Sequence, residues 1–294
     1  MFIKLTVMKN ILVLTDFSAN AAHAALTGTM LARHLNANVL LFNANVTQPV
    51  VPVYAGGPTV FDEVNFMEEE NTGQLKKLAE SLKPFLNENG ADKPNNVYFE
   101  EGLGDLAFQV KNIIENKNIE MVVMGSREGS RVDHFLTGSD TFSVIDYVAR
   151  PVLIVPYNAD LKSIKKVIFA TNFADTDAKA ISYLIRLGEI FNFHIEIVHI
   201  NVLGDDDITK DLKKKDFLKH IVHLPHQHLV VTEIYGKDIV DRINNLCNDP
   251  ACEIIAFSHY KDSFFSRLLA PSTTRKALEK QKAPLMIFPS AFLV

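Results

Sequence analysis

Along the chain, short uninterrupted apolar runs alternate with longer stretches whose apolar residues recur at helical spacing. NILVLT (10–15) is followed by ANAAHAALTGTMLARHLN (19–36) and then by VLLFNA (39–44). Runs that are apolar at every position suit parallel strands covered by helices on both faces, because neither face meets water. The first helix is expected after Asp16 and Ser18, whose side chains can accept from its free N–H groups. Further along, the pattern predicts a helix near Glu68 to Leu86, a strand near Val97 to Glu101, a helix near Leu106 to Glu115, and strands at Met121 to Met124 and Val152 to Val155. The proline- and glycine-bearing stretch TQPVVPVYAGGPTVFDE (47–63) is assigned as irregular.

The same pattern occurs twice. Residues 11–46 lie without gaps on residues 167–202, while EMVVMGS (120–126) lies on EIIAFSH (253–259) and RPVLIVP (150–156) on APLMIFP (283–289). Each copy therefore reads β-α-β-α-β-α-β-α-β, which right-handed crossovers turn into a doubly wound parallel sheet. Ligands of such sheets sit beyond the carboxyl ends of the strands where strand order reverses. That places two loops together: Thr15-Asp16-Phe17-Ser18 after the first strand, and MGSREGSRVDHFLTGSDT (124–141) after the fourth. An aspartate there can accept from an exocyclic amine, and glycine N–H groups with a helix start suit an anion. The alternative is that Asp16 and Ser18 only cap a helix and that the second loop only joins a strand to one.

Composition narrows the partners. A net charge of −5 and a pI near 6.1 supply no broad basic field for nucleic acid or an anionic membrane surface. MFIKLTVMKN lacks the pattern of a cleaved leader, and no apolar run approaches the ~20 residues that span a bilayer, so a cytoplasmic protein is expected. Cys247 and Cys252 are too few for a disulfide framework and read as reduced thiols. In HIVHLPHQH, His220, His223, His226 and His228 are metal-ligand types, but no acidic residue or cysteine completes a site and Pro225 splits the pairs. KDLKKKDFLK (210–219) reads as a solvated helix face. No GxxxxGK[ST] run and no GxGxxG after the first strand occur, and no nucleophile or histidine stands at recognisable catalytic spacing beside Asp16 or Glu128.

Strand-TDFS, the Gly104-Asp105 turn before a helix, MGS after the fourth strand, Gly138-Ser139 before a helix and RPVLIVP together resemble the universal stress protein (UspA) family, here in tandem. The resemblance implies an α/β fold of two Rossmann-like (adenine nucleotide alpha hydrolase-like) domains, 1–158 and 159–294, each a five-stranded parallel sheet sandwiched by helices. It implies a stress-response regulator, with ATP or a related adenine nucleotide bound in the first domain. In members that bind ATP, G-x2-G-x9-G-[ST] holds the phosphates; Gly125, Gly138 and Ser139 keep its outer spacing, while Glu128 replaces the inner glycine. Carried over by similarity, Thr15 and Asp16 meet the adenine, Ala44 and Met124 line it, and Asp140 and Thr141 flank Ser139. A carboxylate at position 128 costs on the order of a kcal/mol beside a polyphosphate, which Arg127 or Arg131 can offset.

The second copy departs further: Asn172, Ser258, Lys261 and Pro271 stand where the first has Asp16, Gly125, Glu128 and Gly138, and only Ser272 keeps its chemistry. It is expected to complete the fold and offer a surface to a protein partner. The two domains are expected to pair within the chain through the strands ending at Val155 and Phe288, with association into a homodimer left open. A protein-interaction module with both sites degenerate and a weak nucleotide hydrolase are the alternatives.

Overall fold

The computed structural model describes residues 8–45, 60–87, 95–126, 139–157, 159, 161, 163–202, 210–224, 229–236, 242, 245–246, 253–259 and 283–294. The first half runs β1 (Asn10–Leu14), α1 (Ala19–His34), β2 (Asn38–Asn45), α2 (Val60–Leu86), β3 (Val97–Leu103), α3 (Leu106–Asn116), β4 (Ile119–Gly125), α4 (Ser139–Tyr147) and β5 (Val152–Val155). The second supplies β6 (Lys166–Thr171), α5 (Asp177–Phe191), β7 (His194–Val202), α6 (Lys210–Val222), β8 (Leu229–Gly236), β9 (Ile254–His259), β10 (Leu285–Pro289) and a terminal turn of helix, α7 (Ser290–Leu293). One expectation fails: Val60 to Glu63, assigned to the irregular stretch, belong to α2. The prolines and glycines just before them concealed where the helical pattern begins.

All ten strands form one sheet in the order β3-β2-β1-β4-β5-β10-β9-β6-β7-β8. Neighbours are parallel except at the centre, where β10 runs antiparallel to β5 with Ile287 opposite Val152 and Leu285 opposite Ile154. The pairing repeats in register. Ile11 lies opposite Val39 and Met121, and Val167, its counterpart, lies opposite Ile195 and Ile254.

Alternation along each strand explains the unbroken apolar runs. Ile11 and Val13 enter one core with α1, α2, α5 and α6, while Leu12 and Leu14 enter another with α3 and α4. Small residues let α1 lie close to the sheet: a Cβ on Gly28 would come within 2.9 Å of Val13 Cγ2.

The halves are also clasped by charge. Glu120, buried at the start of β4, accepts from Lys9 Nζ at 2.7 Å and from Arg186 of α5, whose guanidinium lies 4.9 Å from the ring centre of Tyr183. Arg186→Ala leaves Lys9 to neutralise a buried carboxylate. Because Arg186 is itself nearly half exposed, the expected loss in urea unfolding is about 1–2 kcal/mol, less than for a fully buried pair.

Candidate functional site

The chain leaves β1 toward β2 on one side and returns from β3 to β4 on the other, so a crevice opens above β1 and β4. Thr15-Asp16-Phe17-Ser18 forms its rim through nested caps. The amide of Phe17 donates to Thr15 Oγ1 (3.1 Å), that of Ser18 to Asp16 Oδ1 (3.0 Å), and that of Ala21 to Ser18 Oγ (3.2 Å). Ser18 is thus the N-cap of α1, and Phe17 takes a left-handed φ of 64° to turn the chain. The capping role considered for Asp16 is real, yet it engages Oδ1 and leaves the exposed side chain at the crevice mouth.

The crevice is a cavity of about 560 Å³, within the size range of small-molecule sites. Thr15, Asp16, Ala44, Met124, Gly125 and Thr141, six of the residues carried over from the resemblance, line it together. Ser139 and Asp140 open α4 beside Thr141, and Gly138, Glu128, Arg127 and Arg131 lie outside the described residues.

Other lining residues were given no binding role from the sequence, although the Gly104-Asp105 turn helped to carry the resemblance. Leu14 and Phe42 add apolar wall, and Gly104 and Asp105 close the side facing α3. Gly104 adopts φ +99°, and Asp105 caps α3 by accepting from Phe108 N at 2.8 Å. Asn43 is buried on the floor, where its Nδ2 donates to the Thr15 carbonyl at 2.7 Å and its Oδ1 has no hydrogen-bond partner among the described residues. Its signal was its place beside Ala44 at the strand end. Asn20 pins the end of β4 to α1 by donating to the Ser126 carbonyl at 2.7 Å.

Gly125 has a steric reason to be glycine. A Cβ there would approach the backbone carbon and oxygen of Asn20 to 2.8 Å and Ala21 N to 3.0 Å. The absent side chain lets β4 end against the first turn of α1.

Of the histidine segment, His220 and His223 are described. His220 Nδ1 lies 2.8 Å from the Asp216 carbonyl oxygen, while His226 and His228 lie outside the described residues, as do both cysteines. Among the described residues no group of three or more His, Cys, Asp or Glu side chains could hold a metal ion, and no helix is long and apolar enough to cross a membrane.

The universal stress protein family model matches residues 8–156, just over half of the chain. The chain belongs to the universal stress protein family. No match is found among curated proteins. A universal stress protein from Archaeoglobus fulgidus superposes with a TM-score of 0.69 at 16% identity, covering 95% of this chain and 96% of that one. A putative universal stress protein from Pseudomonas aeruginosa follows at 0.57 and 12%, with 97% and 95% covered. The cytoplasmic domain of a prokaryotic cation chloride cotransporter shares the architecture at 0.52 and 11%, with 98% of each chain covered. At these identities the likeness is one of fold, and a fold serves several functions. The same order of parallel strands is nevertheless seen in both halves of the sheet.

Proposed function

We propose that the protein is a stress-response regulator of the cytoplasm that binds ATP or another adenine nucleotide in the first of two tandem units, 1–158 and 159–294. The observation that carries this reading is the cavity beyond β1, β2 and β4, which combines a carboxylate at its mouth, apolar wall and a helix start. In this reading Asp16 accepts from the exocyclic amine of the base, and Thr15, Ala44 and Met124 surround its rings. Gly125, Gly138, Ser139, Asp140 and Thr141 hold the anionic end through backbone amides, hydroxyls and the helix dipole. Occupancy alters the surface offered to a protein partner, by as much as the ligand's affinities for the two states differ.

Isothermal titration with ATP, ADP and AMP tests the proposal. Saturable heat is expected with at least one of them, weakened about tenfold or more by Asp16→Ala, as one lost charged hydrogen bond would require. Absence of heat at millimolar ligand would sink it. Phosphate release from ATP is expected to stay at background.

A further inference from the structure

The second half repeats the scaffold of the crevice with other residues in it. By the shared register, Thr171, Asp177, His199 and Ser258 occupy the places of Thr15, Ala21, Asn43 and Gly125. Much of the scaffold is kept. His199 Nδ1 lies 2.8 Å from the Thr171 carbonyl oxygen, matching the contact of Asn43 with Thr15, and Phe173 turns the chain at φ 62° as Phe17 does at 64°.

Two positions change the space. Asp177 stands where Ala21 lines the first cavity, and its side chain is turned inward: it is 2% exposed and its Oδ2 accepts from Thr171 Oγ1 at 2.6 Å. The Ser258 hydroxyl, near the end of β9, faces the same carboxylate and favours its charged form. The helix has adjusted to them. α1 begins at Ala19 with a side-chain cap from Ser18, whereas α5 begins at Asp177, two residues later in the shared register, behind Thr176, which gives no side-chain cap. The later start falls at the counterparts of Asn20 and Ala21, the residues that a Cβ at Gly125 would meet in the first half.

We infer that Asp177, seated on Thr171 and Ser258, is a built-in plug: the chain takes one ligand, and the second crevice is a latent site held shut by this side chain. The plug acts through volume, which removes the floor, and through charge, since a carboxylate repels the anionic end of a nucleotide. Phe173 reinforces it from the α6 side, stacked on His199 at 4.1 Å and packed 5.4 Å from Phe217.

The choice of probe rests on the reading of the first cavity as an adenine-nucleotide site. Equilibrium dialysis with AMP counts sites per chain in the wild type, in Asp177→Asn and in Asp177→Ala/Ser258→Gly, which restores the first-half residues at those two positions. One site is expected in the wild type and in Asp177→Asn, which keeps the volume. The double variant is expected to gain one more, at least about tenfold weaker because Asn172 replaces the carboxylate of Asp16 and Pro271 stands in the place of Gly138. Two sites in the wild type, or no gain in the double variant, would overturn the inference. A wild type without any site would strike the reading of the first cavity alone, and the gain in the variant would still decide this one. Should the double variant not melt cooperatively, Asp177→Ala alone is read in the same way.

Discussion

Asp177→Asn is expected to make the protein more stable at pH 8, by about 1–3 kcal/mol, and to leave it nearly unchanged at pH 4. Burial pushes the Asp177 carboxyl up from 3.8 to about 6, against the opposing pull of Ser258, Thr171 and the Ala174 backbone, which favour the charged form. An acid whose folded pKa lies above its unfolded value binds more protons in the folded state between the two. Stability therefore falls as pH rises from about 4 to 6 and stays lowered above that. Moving the carboxyl from 3.8 to about 6 corresponds to about 3 kcal/mol at most. An asparagine has the same shape, can still accept from Thr171 Oγ1 through its amide oxygen and carries no charge to desolvate. Urea unfolding at pH 4, 5, 6, 7 and 8 checks the expectation. Wild type should lose stability across the first three values and the variant should not. A variant less stable than wild type at pH 8 would mean that its neighbours compensate the buried carboxylate in full.

Asp177 also marks where sequence reasoning stopped. The repeat was legible because the sheet forces it: both faces of β1 and of β6 are buried, so their apolar runs survive as near copies and the register of their partners follows. The strands meeting at the centre were named through the resemblance, which implies that two such units pair, and β5 and β10 do pair there. Thr15, Asp16, Ala44, Met124 and Gly125, carried over from the resemblance, line one cavity because they stand at or just beyond the ends of β1, β2 and β4. An aspartate in the first turn of a helix, by contrast, reads as ordinary dipole compensation, and nothing in its spacing says that it turns inward. The start of α2 was hidden in another way, since the helical period of Val60 onward emerges directly from a proline- and glycine-bearing run. The Glu120 clasp joins Lys9, just before β1, to β4 and α5, whose proximity only the assembled sheet reveals.

Gly125→Ala is expected to weaken nucleotide binding by at least about tenfold and to cost about 1–3 kcal/mol of stability, the range for forcing extra volume into a packed position. The new methyl carbon would lie 2.8 Å from the backbone of Asn20, where no side-chain rotation can relieve it. Either β4 or the first turn of α1 must move. The second half indicates which, because with Ser258 at the same place α5 starts two residues late and lacks a side-chain cap. In the variant, retreat of α1 would break the Ser18 cap and the Asn20 tether to Ser126, and with them the rim that holds Asp16 at the crevice mouth. The loss is thus transmitted through backbone, and it separates from a loss of base recognition. Asp16→Ala is expected to lower affinity with little effect on unfolding, since the side chain is exposed and its cap is one bond. Paired titration and urea unfolding of the two variants distinguish these cases. A Gly125→Ala protein as stable as wild type and binding equally well would show that the closeness of β4 to α1 plays no part in the site.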